Sequence, residues 1–204
     1  MVGETIRKIM SESKEELLNK KLEIEKRLDT INKGISGKLE DVIHKQHLDL
    51  RELFLRHQEF LLQGQFDKAL ASLNHYDVCH QVHARLEERY LFPEFVKIER
   101  KSRWDVSLYE KEHEKIESLF ENISNDLQWL SEQQLNDSQL RRNIIALLDM
   151  EKTFKGLTEH HEEREEGGML KDMDEQLEQA LLDKLGSDIK SAWMEAIASI
   201  TEQV

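Results

Sequence analysis

The sequence predicts an all-α protein, an up-down four-helix bundle with an additional helix at each end, and three observations carry that expectation. One proline and eight glycines in 204 residues leave few places to interrupt regular structure. Apolar residues recur at three-to-four spacing, while strand-type alternation is scarce. Finally, two histidine-bearing phrases occur twice, in the same order. H-x2-[LI]-x2-L-F appears as His47, Leu50, Leu53 and Phe54, then as His113, Ile116, Leu119 and Phe120. H-x3-E-E-x2-[LM]-[FL] appears as His83, Glu87, Glu88, Leu91 and Phe92, then as His161, Glu165, Glu166, Met169 and Leu170. A helical hairpin carrying one histidine and one His/Glu pair reads as doubled.

Residues 4–33 read as a charged helix with Met10, Leu17, Ile24 and Ile31 at seven-residue spacing. Lys14 and Lys21 occupy the positions that would complete a heptad seam, which argues against a self-sufficient coiled coil. Gly34-Ile-Ser-Gly37 marks a break. The next helix, about 39–63, carries Ile43, His47, Leu50, Phe54, His57 and Leu61 on one face. Gly64 ends it, and Asp67 reads as the N-cap of the following helix. That helix has Leu73, Tyr76, His80, His83, Glu87 and Tyr90 along its inner stripe, and Pro93 is expected to kink or end it. A third helix, about 105–132, presents Tyr109, His113, Ile116, Phe120, Ile123 and Leu127. The fourth, about 138–166, presents Leu147, Met150, Phe154, Leu157, His161 and Glu165 and is expected to stop at Gly167-Gly168. A last helix, broken or bent near Gly186, offers Leu177, Leu181, Ile189, Trp193, Ile197 and Ile200 as an apolar face. The expected organisation is an N-terminal extension over 1–38, a bundle over 39–171 and a C-terminal extension over 172–204.

Composition narrows the function. Acidic residues exceed basic ones by 42 to 29, a net charge of −13, so a phosphate backbone would be repelled and a nucleic-acid role is excluded. No apolar run approaches the ~20 residues of a membrane span, and Met1 to Ser11 lacks the apolar core of a signal peptide. Cys79 is the only cysteine, which suits a small buried hydrophobe in a reducing compartment. These features predict a soluble, cytoplasmic protein. Nine histidines are the unusual feature, and they point to metal or proton chemistry.

A single H-x3-E match means little in so acidic a chain, and it also occurs at His113–Glu117. Placement carries more weight. His83 with Glu87, and His161 with Glu165, share one helix face and continue its apolar stripe inward. His47 and His113 likewise replace an apolar residue in a regular stripe. Several imidazoles and two carboxylates converging in a core destabilise it by several kcal/mol per unpaired charge unless a cation compensates. A pair of cations does so, with Glu87 and Glu165 as bridges, and iron, manganese or zinc accept such ligands. Zinc fits less well, because six contributors exceed one tetrahedral site. His80, three residues before His83, is a candidate supporting donor or further ligand. Tyr109, four before His113, reads either as a packing aromatic or as a phenol directed at a metal. His44, His57, His75 and His160 have no counterpart in the repeat and are assigned to surface or supporting positions.

On these residues the chain resembles the hemerythrin-like (HHE cation-binding) family over about 41–171. His83-Ala-Arg-Leu-Glu87-Glu88-Arg-Tyr-Leu-Phe-Pro93 is similar to that family's second-helix signature, and His161-Glu-Glu-Arg-Glu165-Glu166 to its fourth-helix counterpart. The resemblance implies a non-haem di-iron centre with His47, His83, Glu87, His113, His161 and Glu165 as ligands, manganese or zinc ranking behind iron. Two departures stand out. Oxygen-carrying members have an H-x3-H pair on the third helix where this chain has Tyr109, which points away from simple reversible oxygen carriage. The fourth helix has Gly167-Gly168 in place of a Leu-Phe-Pro ending, so that side of the site is expected to be more open. Three functions compete: binding or sensing oxygen or a related small molecule, with a homodimer or signalling partner engaged through the terminal helices; a redox enzyme removing peroxide or nitric oxide, or an iron-handling protein; and a metal-free helical module.

Overall fold

The structure, a computed structural model, describes residues 38–201. The expected helix over 4–33 and the break at Gly34 to Gly37 lie outside the described residues. Among those described the regular structure is all helical, without strands. α1 (Leu39–Leu62) buries all six residues of its expected inner face, from Ile43 to Leu61. Glu40 and Asp41 in its first turn complement the positive end of the helix dipole. Gly64, at φ +69°, supplies the left-handed residue that turns the chain. α2 (Phe66–Leu86) then begins two residues earlier than expected. Gln65 is its N-cap, without a side-chain hydrogen bond, and Asp67 lies in the first turn instead.

Pro93 neither ends the helix nor breaks it. A π-helical turn, Glu87–Leu91, follows α2 directly and leads into α3 (Phe92–Phe95). In a regular α-helix the Pro93 ring would strike the carbonyl of Arg89; the wider turn just upstream relieves that clash. The turn also changes which residues face inward. Leu91, Phe92 and Phe95 are buried, and Tyr90 is only half-buried.

α4 (Val106–Ser131) is capped by Asp105, whose carboxylate accepts from the Leu108 N–H. α5 (Asp137–Arg164) starts with a capping box between Asn136 and Gln139. Each such cap typically contributes ~1 kcal/mol. The expected stop at Gly167-Gly168 does not occur. A second π-helical turn, Glu165–Leu170, carries the chain into α6 (Lys171–Gln176), with Met169, Leu170 and Met173 buried. The physical reason lies at Gly168, where an added Cβ would sit 2.8 Å from Trp104 Cε3 and 3.0 Å from Cζ3. Glycine here admits an indole against the helix.

α7 (Gln179–Thr201) runs unbroken through Gly186, where a break or bend was expected. It packs against α1 and α2. Ile189 and Trp193 are buried as the spacing suggested; Leu182 and Leu185 are buried in preference to Leu177 and Leu181. Around the centre of the molecule α1 contacts α2, α2 contacts α4, α4 contacts α5, and α5 contacts α1. No helix among the described residues is long and apolar enough to cross a membrane.

Two inward positions differ from those the apolar stripe suggested. Met150 is exposed, and Glu151 takes the buried place beside it. Its partner is His57, fully buried on the inner face of α1 where the spacing placed it. His57 Nδ1 donates to the Ala69 carbonyl at 3.0 Å, and Nε2 forms a hydrogen bond with Glu151 Oε1 at 2.9 Å. The Gln58 amide donates to the other Glu151 oxygen at 2.7 Å. The resulting cluster ties α1, α2 and α5 together.

Candidate metal centre

Four inward-facing histidines and two glutamates, each on a helix whose stripe directs it to the core, meet at one place. His83 precedes Glu87 by one turn and His161 precedes Glu165 by one turn, so each pair points the same way. Both glutamates begin a π-helical turn, so the internal repeat extends to the backbone itself. Such turns often accompany functional sites.

The contacts alternate between the halves. His83 Nε2 lies 3.2 Å from Glu87 Oε1, and His113 Nε2 3.3 Å from Glu87 Oε2. His161 Nε2 lies 2.7 Å from Glu165 Oε1, and His47 Nε2 3.1 Å from Glu165 Oε2. Close as they are, these atoms do not align as hydrogen bonds. All four oxygens of Glu87 and Glu165, and Nε2 of His47, are buried without a hydrogen-bond partner among the described residues. Among the described residues, the aligned pair at the centre is His113 Nε2 with His161 Nε2, 3.1 Å apart.

Two groups result, His47, His83, Glu87 and Glu165 on one side, and Glu87, His113, His161 and Glu165 on the other. Within each, the donor atoms all lie within 4.8 Å of one another. Around a cation with ~2.1 Å bonds, adjacent donors sit about 3 Å apart and opposite ones about 4.2 Å. The glutamates belong to both groups and offer one oxygen to each. This buried His/Glu cluster is able to hold a metal.

Each imidazole is oriented through its other nitrogen. Nδ1 of His47 meets Glu166 at 2.8 Å, and Nδ1 of His113 meets Glu88 at 3.1 Å. Nδ1 of His83 meets Gln46 Oε1 at 2.8 Å, and Nδ1 of His161 meets Glu112 at 3.0 Å. Arg164 also pairs with Glu112. The set follows the repeat. The second glutamate of each E-E pair serves a histidine on a neighbouring helix, and the residue before each lone histidine serves a histidine of an H-x3-E pair. Glu88 and Glu166 stand inside the doubled phrase, yet sequence reasoning gave them no role. Gln46 and Glu112 were missed; their signal was a hydrogen-bonding residue immediately before His47 and before His113. Partners of this kind fix the tautomer that leaves Nε2 free for a cation. Glu88→Ala and Glu166→Ala are therefore expected to weaken metal affinity by roughly 10–100-fold while keeping the final stoichiometry. Competition titration against a chelator measures this, and unchanged affinity in both would remove the orienting role.

The electrostatics show what the cluster lacks by itself. Burial pushes the Glu87 carboxyl well above its usual range, and the neighbouring Glu165 adds to the effect. Burial would raise Glu165 too, but His161 and His47 hold it well below that range. Against burial, Glu165 and Glu166 lift His47 to about 9, and Glu165 and Glu112 lift His161 to about 9. Burial, with His47 beside it, drives His83 well below the ordinary value. Two glutamates equivalent by sequence and geometry are thus driven in opposite directions. Protons alone neutralise one of them; a multivalent cation between them neutralises both.

The remaining candidates fall outside the cluster. The Tyr109 phenol donates to the Arg164 carbonyl at 3.0 Å, and its ring packs near Phe92, Phe95 and His161. His80 stacks on Tyr76 at 5.7 Å and hydrogen-bonds none of the six residues. His44 shares Glu166 with His47, at 3.0 Å, from an exposed position. His160 pairs with Glu163 at the surface, His75 is exposed, and Cys79 is buried. At Gly167-Gly168 the helix continues, with Trp104 packed on the buried Gly168 and Gly167 exposed. No family model, curated protein or solved structure matches this chain.

Proposed function

We propose that the chain is a hemerythrin-like protein in which α1, α2, α4 and α5 form an up-down four-helix bundle around two iron ions. His47 and His83 would hold one ion, His113 and His161 the other, with Glu87 and Glu165 bridging. The protein then binds or senses dioxygen or a related diatomic or peroxide ligand. The observation that carries the reading is the pair of fully buried carboxylates whose four oxygens have no hydrogen-bond partner among the described residues. Such groups are costly in a core unless they coordinate a cation. Bound iron would supply a redox-active Lewis acid with room for a small ligand beyond two nitrogens and two oxygens per ion.

The test is to purify the protein with iron supplied, measure metal per chain, and record absorption on reduction and on admitting air. Less than about one ion per chain after careful loading would defeat the metal reading. A spectrum that cycles reversibly supports binding or sensing. Irreversible oxidation with sustained peroxide or nitric oxide consumption supports the enzymatic alternative.

Proton release gives an independent check. His47 and His161 keep their protons up to about pH 9, and Glu87 keeps its own above the usual carboxylate range. A cation needs all three groups deprotonated, so uptake at pH 7 expels protons. Affinity is expected to rise as pH increases toward 9 and to fall as pH decreases. Loading in weak buffer with an indicator dye measures the release; a pH-independent affinity would contradict the assignment of these ligands.

A further inference from the structure

A cleft of about 530 Å³ opens between α2 and α4, and its lining reaches His113 of the cluster. Its carboxylates are Asp77, Glu88, Glu110, Glu114 and Glu117, against the single cationic side chain of Arg85. A second cleft of about 230 Å³, between α1 and α5, is balanced by comparison, with Arg51 and Lys155 beside Glu159 and Glu162. Converging charge of one sign over low-dielectric walls concentrates counter-ions and speeds their arrival. The α2–α4 cleft therefore favours cations and disfavours anions.

An acidic rim alone would be a solvated surface, but His80 sets this one apart. It is only 9 % exposed and lines the cleft, and its imidazole forms no hydrogen bond with any described residue. Its ring centroid lies 6.4 Å from that of His83 and 6.4 Å from that of His113. Those two histidines belong to different groups of the cluster. A buried imidazole with free nitrogens, placed between an acidic mouth and both halves of the centre, has the chemistry of a transit ligand for a divalent metal.

We propose that the α2–α4 cleft is the uptake port for the divalent cations of the centre, with Glu114 and Glu117 gathering the ion and His80 passing it to the cluster. The inference rests on the metal-centre reading above, and it concerns the rate of loading, whereas that reading concerns the final occupancy. The side chains of Glu114 and Glu117, on the same helix as His113, are exposed and form no hydrogen bond or ion pair with the six cluster residues, so their neutralisation is expected to leave the fold and the centre intact.

The experiment follows anaerobic loading of the metal-free full chain with Co²⁺, a redox-stable stand-in, by stopped-flow absorption. Glu114→Gln/Glu117→Gln is expected to load about 10-fold more slowly at low ionic strength, with unchanged final stoichiometry and a difference that shrinks in ~0.5 M salt. His80→Phe, which keeps a ring against Tyr76, is also expected to slow loading without lowering stoichiometry. Glu159→Gln in the opposite cleft is expected to load at the wild-type rate. Wild-type rates in either the double variant or His80→Phe would overturn the port, as would equal slowing by Glu159→Gln. Failure of the wild-type protein to take up Co²⁺ or iron would instead overturn the metal centre itself, and the port with it.

Discussion

Glu165→Gln is expected to retain the helical circular dichroism of the wild-type chain while losing dinuclear metal loading. The side chain sits fully buried, with one oxygen toward His47 and the other toward His161. Glutamine keeps the volume, so packing around α5 changes little. It removes the anion shared by both groups, and an amide cannot bridge two cations as a carboxylate does. The loss is several kcal/mol of binding free energy, enough to bring occupancy below about one ion per chain at micromolar metal. Glu87→Gln is expected to behave in the same way, because the two glutamates are equivalent in the repeat. Metal analysis after gel filtration, with circular dichroism on the same sample, decides the matter. Full occupancy in both variants would mean that the carboxylates are structural.

Glu151→Ala should have the opposite profile, with metal stoichiometry preserved and stability lost. Glu151 and His57 are both fully buried, and Gln58 donates to the second carboxylate oxygen. Removing the carboxylate leaves the His57 Nε2 and the Gln58 amide without their partner and opens a cavity between α1 and α5. Breaking one side of a buried pair typically costs about 3–5 kcal/mol, which for a chain of this size lowers the melting temperature by roughly 10 °C. A His57→Phe/Glu151→Leu double variant should recover much of that loss, because packed apolar groups replace such pairs at little cost. Thermal melts of the three proteins test the claim. A melting temperature unchanged by Glu151→Ala would show that the cluster contributes nothing net.

The helices were legible because their apolar faces are regular. Every residue that three-to-four spacing assigned to the inner faces of α1 and α4 is buried, with Gln46 and Glu112 buried beside them. The six cluster residues were legible for a second reason, since the doubled phrase selects His47 over His44 and His161 over His160. Spacing failed where a polar residue was the correct inward choice. Met150 looked like the core position of α5, but His57 on α1 requires a carboxylate opposite it, and Glu151 turns in. Helix ends misled for a related reason. Gly167-Gly168 reads as a stop in isolation, and only the indole of Trp104 packed against Gly168 shows why glycine stands in a continuing helix.

The chain's own pattern therefore determined that this protein is helical and which histidines and glutamates turn toward its core, because periodicity along one helix is a local property. The partners on other helices were decided by tertiary structure: Glu166 for His47, Glu88 for His113, Gln46 for His83 and Glu112 for His161. So was the opposite fate of the equivalent Glu87 and Glu165. Those outcomes depend on distances between helices and on the charge collected at one buried point, which a pattern along a single chain does not contain.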